Sequence, residues 1–172
     1  MAIGSFISVG RSLSDAIARV RLAEELGYDA AYVTHIAGRD SLTVLAAYAA
    51  ATSRIDLGTG VVPIYTRTPA TMAMTAATLH EQSEGRLRLG LGVSHRPVVE
   101  GWHGQTIDRP VAEMREYVAI LRAILAGSPP PPARSGRRAS RSAASAPTRS
   151  CRSTSRRCRR RCCAWQARPA TA

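Results

Sequence analysis

Apolar residues follow two alternating patterns through the first 126 residues of the chain. Short apolar runs begin near residues 3, 30, 55 and 87, and each precedes a longer stretch with apolar residues three and four positions apart. The short runs predict buried strands, and the longer spacing predicts helices with one buried face. The predicted strands are Ala2–Val9, Asp29–Thr34, Ile55–Val62 and Leu87–Val93.

Polar residues and prolines mark where the predicted helices begin. Asp40 or Ser41 can cap the second helix, and Pro69 and Pro110 stand in the first turns of the third and fourth. Between the fourth strand and the fourth helix we expect a loop of about 14 residues, Ser94–Ile107. Since most such connections have about 2–6 residues, this length indicates a functional loop.

Four strand–helix units in succession predict an α/β fold with a parallel sheet covered by helices. A doubly wound sheet and a (β/α) barrel both fit this alternation. A complete eight-unit TIM barrel needs about 250 residues, so four units would form its first half. We expect the domain to occupy residues 1–127.

The charge of the chain lies almost entirely in its last quarter. The net charge is +12, yet residues 1–126 contain 12 arginines and 12 acidic residues, and the other 12 arginines follow them. Residues 128–172 contain no Leu, Ile, Val or Phe. A segment that cannot build a core is expected to be disordered, so we predict a disordered basic tail over residues 128–172.

Three explanations of this tail compete. Arg, Pro, Ser, Ala and Cys without Lys are typical of a G+C-rich gene translated in the wrong frame, and one permitted codon set for Cys151–Cys163 regroups into L-P-I-Y-V-A-A-L-S-P-A-M-L. We favour such a frameshift. A genuine basic tail would bind nucleic acid nonspecifically through phosphates. A metal site is the weakest explanation, because Cys158, Cys162 and Cys163 do not form paired C-x-x-C knuckles.

Location is predicted from what the sequence lacks. No apolar run approaches the roughly 18–20 residues of a membrane span, and the N-terminus has no signal-peptide pattern. All four cysteines lie in the tail, so the domain needs no disulfides. We therefore expect a cytoplasmic protein that does not bind membranes.

Five stretches together carry a family resemblance. In order and spacing they resemble the N-terminal half of the luciferase-like monooxygenase superfamily, in particular its oxidoreductases that depend on the deazaflavin coenzyme F-420. The resemblance implies a TIM barrel that binds coenzyme F-420, or alternatively FMN, and moves hydride between this cofactor and a small organic substrate. The stretches are A-E-E-L-G-Y-D-A-A-Y-V (Ala23–Val33), T-S-R-I-D-L-G-T-G-V (Thr52–Val61), Y-T-R-T-P-A-T-M-A (Tyr65–Ala73), E-G-R-L-R-L-G-L-G-V-S (Glu84–Ser94) and E-M-R-E-Y-V-A-I-L-R (Glu113–Arg122).

Chemistry in such a barrel lies at the carboxyl ends of the strands. His35 ends the second strand, where its imidazole could bond a cofactor or substrate oxygen, and it is our catalytic candidate; a purely structural histidine is the alternative. The resemblance implies a bulge at the end of the third strand, often with a cis peptide, behind the cofactor ring. Tight packing is the alternative for its glycines. The cofactor-binding candidates are Thr59, Gly60, Val61, Gly92 and Ser94.

Four further residues are candidates for binding an anionic substrate or walling its pocket: Arg67, His95, Arg96 and Trp102. An ordinary helix cap at Arg67 and a solvated loop around the other three are the alternatives. Because units five to eight of the barrel are missing, both edges of the sheet would be unpaired. We therefore expect homo-oligomers or aggregation through these edges, and a chain that is inactive by itself.

Overall fold

The computed structural model describes residues 2–36 and 38–132. Within these ranges strands and helices alternate as the apolar pattern predicts. The strands are β1 (Gly4–Phe6), β2 (Ala30–Val33), β3 (Asp56–Thr59), β4 (Val62–Pro63), β5 (Leu87–Arg88) and β6 (Leu91–Gly92). The helices are α1 (Leu13–Glu25), α2 (Ser41–Ala51), α3 (Pro69–Gln82), α4 (Arg96–His103) and α5 (Pro110–Leu125).

The strands pair in parallel and in chain order. The main sheet has the order β1-β2-β3-β5, and β4 pairs with β6 beyond it. Gly4 lies opposite Ala30, and Ala30 lies opposite Asp56. A doubly wound sheet reverses its strand order at a switch point, whereas a barrel adds each strand beside the one before it. The uninterrupted order therefore confirms the first four units of a barrel.

Helices cover one face of the sheet. Alternate strand residues such as Ala31, Val33 and Leu57 are buried there, with at most 1% of each exposed. They pack with Leu45 of α2 and Met72 of α3 in a single apolar core. This face is the outer layer of a barrel, where helices shield the strands from water.

The opposite, concave face is open. Phe6, Tyr32, Gly58 and Arg88 share one row of it, because each lies opposite the next in the strand register. The Phe6 side chain is 64% exposed, and Arg88 forms an ion pair with Asp56 at 2.8 Å. In a closed barrel such residues fill the interior, so the exposed concave face marks the side on which further strands would close the fold.

The structure corrects three strand predictions. The first strand is shorter than Ala2–Val9, and the third and fourth are each divided in two. Both divisions occur at glycines, Gly60 in the third strand and Gly90 in the fourth. Glycine weakens a strand and permits close backbone approach. The apolar pattern does not show these breaks, because apolar residues stand on both sides of each glycine.

The prediction of an irregular loop over Ser94–Ile107 is wrong, because α4 lies inside it. Pro97 stands in its first turn, and Gly104 ends it in the left-handed conformation with φ of 59°. Val99 anchors the helix in the core with none of its surface exposed. A helix of eight residues that buries one side chain is too short to give a clear periodic signal.

The predicted tail falls almost entirely outside the described residues. The described residues end at residue 132. The predicted disorder beyond that residue, the arginines of the tail and its cysteines therefore lie outside them. In the part of the chain that the structure describes, no helix is both long and apolar enough to cross a membrane.

Candidate functional site

The carboxyl ends of the strands bring together three of the predicted positions. His35 follows β2, Gly60–Val61 lies between β3 and β4, and Ser94 follows β6. Parallel strands in sequential order end at the same edge of the sheet, which is where barrel enzymes place their chemistry. Ser94 has φ of 61°, a conformation uncommon outside glycine and enriched at functional turns.

The bulge implied at the end of the third strand is present. The Gly60–Val61 peptide is cis, and Gly60 donates to the Val33 carbonyl at 2.9 Å. Thr59 is 2% exposed. Its hydroxyl donates to the Gly90 carbonyl at 2.8 Å and accepts from the Gly90 amide at 2.9 Å. The Thr59 side chain therefore joins the two broken strands and has no hydroxyl proton left for a cofactor.

Two of the predicted cofactor glycines are explained by packing within the chain. A Cβ at Gly60 would lie 2.6 Å from the Phe6 ring, and a Cβ at Gly92 would clash with the Val61 side chain. Phe6 and Val61 themselves remain 64% and 41% exposed. The glycines thus leave room for two apolar side chains that are themselves largely exposed.

His35 is held by the start of α2. Its Nδ1 lies 2.9 Å from the Ser41 hydroxyl and 3.4 Å from the Ser41 backbone nitrogen. The imidazole is mostly buried, with 17% of the side chain exposed, and Asp40 Oδ1 is 3.6 Å from Nδ1. Burial lowers the pKa of His35, Asp40 opposes this effect, and the positive charges of Arg67 and His103 lower the pKa further. The ring is therefore favoured in its neutral form.

Arg67 is paired within the chain. Its guanidinium contacts Asp40 Oδ1 at 2.8 Å, and its backbone carbonyl accepts from the Tyr117 hydroxyl at 3.0 Å. Burial raises the pKa of Asp40, but hydrogen bonds from Thr43 and Arg67 outweigh burial and lower it. Asp40 is thus a charged helix cap that balances the positive charge of Arg67. Arg67 should therefore attract an anionic ligand less strongly than its sequence position suggests.

The three remaining candidates lie at or on α4, with His95 just before the helix and Arg96 and Trp102 within it. Arg96 forms an ion pair with Glu100 one turn along the helix and donates to the Ile107 carbonyl at 2.8 Å. These contacts hold the end of the segment in place. His95 caps the helix through its backbone without a side-chain bond, and Trp102 is 67% exposed. No described contact joins these residues to His35.

Sequence reasoning treated Asp40 and Ser41 only as alternative caps, and it missed Phe6. The available signal for Asp40 and Ser41 was their position five and six residues after His35, at the start of the next helix. Asp40 and Arg67 also line a groove of about 380 Å³ between α2 and α3. This groove runs along the helical layer, so it does not coincide with the strand ends.

Comparison with known proteins identifies a family and several relatives that are similar in sequence. The sequence profile described as "Luciferase-like monooxygenase" matches residues 1–152. A putative coenzyme F-420-dependent oxidoreductase of Mycobacterium tuberculosis is 44% identical over 111 residues, which are 64% of this chain and 32% of that protein. A 5,10-methylenetetrahydromethanopterin reductase of Methanolobus tindarius is 37% identical over 108 residues, 62% of this chain and 33% of that protein.

Solved structures similar to this chain include proteins with related names. The coenzyme F-420-dependent tetrahydromethanopterin reductase of Methanopyrus kandleri is 26% identical with a TM-score of 0.66, over 77% of this chain and 42% of that one. An FMN-bound Baeyer-Villiger monooxygenase from Pseudomonas putida shares the fold, with a TM-score of 0.67 at 23% identity, over 75% of this chain and 40% of that one. The chain spans about a third of the length of the curated relatives it matches. With a family profile matching most of its length, the chain belongs to the luciferase-like monooxygenase family.

Proposed function

We propose that this chain represents an N-terminal, cofactor-binding part of an oxidoreductase that transfers hydride between coenzyme F-420, or alternatively FMN, and a small organic substrate. The observation that carries the proposal is the joint placement of His35, the Gly60–Val61 bulge and Ser94 at the carboxyl ends of the strands. The printed names of one curated relative and of one solved structure support coenzyme F-420 over FMN.

The described residues fit a flat, largely apolar ring with polar oxygens at its rim. Val61 and Phe6 are exposed apolar side chains, and we expect them to support the ring. His35 would hold a ring or substrate oxygen through its imidazole. When bound, the cofactor supplies the hydride chemistry, and the protein orients it and excludes water. Arg67 would act through Asp40 and not as a free cation.

Titration of the purified chain with coenzyme F-420 and, separately, with FMN tests the proposal. We expect fluorescence changes that saturate, with coenzyme F-420 binding more tightly. His35→Gln should weaken binding about 5- to 10-fold, because a lost hydrogen bond is worth about 1 kcal/mol. His80→Gln is the matched control, since His80 lies in the last turn of α3 near Gly85. If neither cofactor binds, the proposal is wrong for this chain.

Catalysis is a separate question from binding. The chain spans about a third of the length of its relatives, and we propose that it binds cofactor without turnover, as a non-catalytic fragment. Sequencing the coding DNA past the proline run Pro129–Pro132 tests the proposed frameshift. Further β-α units in the upstream frame would support it, and their absence would contradict it.

We also propose that the chain self-associates. Strands β1 and β5 form the two edges of the main sheet, and exposed edges invite pairing with other strands. Size-exclusion chromatography over a range of concentrations should show dimers or larger species, and a monomer at all concentrations would argue against edge pairing. Nonspecific nucleic-acid binding through the basic tail is the remaining alternative. It predicts salt-sensitive binding that disappears when residues 128–172 are deleted.

A further inference from the structure

Ser41 places two donors on one nitrogen of His35. Its hydroxyl lies 2.9 Å from Nδ1, and its backbone N–H points at the same atom over 3.4 Å. Ser41 is the first residue of α2 and is fully buried, with none of its surface exposed. The contact is therefore built into the entry of a helix and is shielded from water.

The backbone amide settles the direction of this contact. An amide N–H can only donate, so a proton on Nδ1 would face the amide proton directly. Nδ1 must therefore accept, and the Ser41 hydroxyl donates to it as well. A neutral imidazole that accepts at Nδ1 carries its proton on Nε2. We infer that Ser41 is a positioning residue that fixes His35 as the Nε2–H tautomer, so that His35 meets its ligand as a hydrogen-bond donor.

The surrounding charges agree with a neutral ring. Asp40 is the anion nearest to Nδ1, but it already accepts from Arg67 at 2.8 Å and from the Thr43 amide at 2.9 Å. Arg67, before α3, and His103, on α4, both oppose a positive charge on His35. The amino end of α2 adds the positive pole of a helix dipole. Among the described groups that act on His35, only Asp40 favours the imidazolium.

The inference deepens the proposed function and rests on it for the identity of the ligand. Among the described residues nothing forms a hydrogen bond with Nε2. A fixed Nε2–H donor selects an acceptor, such as a carbonyl or anionic oxygen of a flavin-type cofactor or of its substrate. It excludes a role in which His35 removes a proton through Nε2 in its resting state, because that atom has no free lone pair.

Nitrogen-15 NMR of the full-length chain tests the tautomer directly. Long-range proton–nitrogen spectra distinguish protonated from unprotonated ring nitrogens, and loss of signals in His35→Asn assigns the residue among the four histidines. At pH above its transition, wild-type His35 should show Nε2 protonated and Nδ1 unprotonated. The opposite pattern, or an even mixture, would overturn the inference.

Variants of Ser41 test its role. Ser41→Ala should raise the pKa of His35 by about 0.5 to 1, because the hydroxyl stabilises the neutral ring, while the backbone amide that alanine retains should keep the Nε2–H tautomer. Ser41→Thr keeps the hydroxyl and should retain the wild-type spectrum and pKa. Ser14→Ala, an exposed serine in the first turn of α1, is the matched control and should change neither. An unchanged His35 pKa in Ser41→Ala would refute the role of the Ser41 hydroxyl, while a Ser41→Ala chain that fails to fold leaves the wild-type tautomer as the test.

The two proposals fail separately. If neither cofactor binds but His35 is the Nε2–H tautomer, the proposed function fails and the tautomer inference stands. If a cofactor binds but His35 carries its proton on Nδ1, the inference fails and the proposed function stands. With both intact, Ser41→Ala should weaken cofactor binding less than His35→Gln, because the backbone amide still contacts Nδ1.

Discussion

Arg86 uses its whole guanidinium to join the parts of the fold at the end of the sheet opposite the candidate site. It lies one residue before β5, and its five N–H donors each reach an oxygen of a neighbouring element. Several of these acceptors belong to the last turn of α2, where carbonyls lack helical partners and the helix dipole is negative. The acceptors are the Ser83, Ile55, Ala49 and Thr52 carbonyls and the Thr52 hydroxyl, at 2.8 to 3.4 Å.

Replacing Arg86 with Lys keeps the charge but removes this fork. An ammonium has three donors on one atom, so at least two of the five hydrogen bonds must be lost. A hydrogen bond to a charged group contributes about 1.5–3 kcal/mol, and the partly buried carbonyls left behind are still accessible to some water. We expect the free energy of unfolding to fall by about 3 kcal/mol.

Urea denaturation followed by circular dichroism measures this loss. With a slope of about 2 kcal/mol per molar urea, Arg86→Lys should lower the midpoint by about 1.5 M. Arg115→Lys is the control, since Arg115 is exposed on α5, and it should change stability by less than about 0.5 kcal/mol. Folded Arg86→Lys protein should bind cofactor as the wild type does. Equal midpoints for the two variants would refute the reasoning.

Three further predictions concern stability. Glu84 has φ of 54°, a left-handed conformation that favours glycine, so Glu84→Gly should stabilise the chain by about 1 kcal/mol in the same urea assay. The buried Tyr48 hydroxyl has no hydrogen-bond partner among the described residues, and burial raises its pKa to about 12. Tyr48→Phe should therefore leave the melting temperature unchanged or raise it. Burial would raise the pKa of Glu24, but backbone amides of residues 53–55 outweigh burial and lower it. The stabilisation of the fold by ionised Glu24 is complete above the ordinary pKa of 4.5 and is lost as pH falls through the lowered pKa of the folded state. Glu24→Gln should therefore flatten this part of the curve of unfolding free energy against pH.

The unit-by-unit layout of the fold was predictable because each element is locally specified. Asp40 caps the second helix as the sequence indicates, Ser12 and Thr68 cap the first and third, and the strands pair in chain order. The breaks in the third and fourth strands were not predictable from hydropathy. At these breaks Thr59 and Gly90 exchange side-chain and backbone hydrogen bonds across the sheet, and such long-range partners leave no periodic trace.

The candidate site was predictable in position but only partly in composition. His35 and the Gly60–Val61 bulge follow from strand ends and from family resemblance. The partners of His35 depend on how the segment between β2 and α2 folds back on itself, which brings Ser41 onto Nδ1. Arg67 illustrates the same limit, because its compensation by Asp40 depends on the packing of α2 against α3.

The exposed concave face and the candidate site share the same residues, which couples stability to binding. Phe6 and Val61 are exposed where further strands of a barrel would lie, and burying one such side chain is worth about 1.5–3 kcal/mol. A flat cofactor that covers them would supply part of this burial and would stabilise the folded chain by mass action, about 2.7 kcal/mol at 100 times its Kd. In a closed barrel, further strands would cover the same surface from the opposite wall. The stability of the fold and cofactor binding would therefore depend on one shared set of apolar side chains.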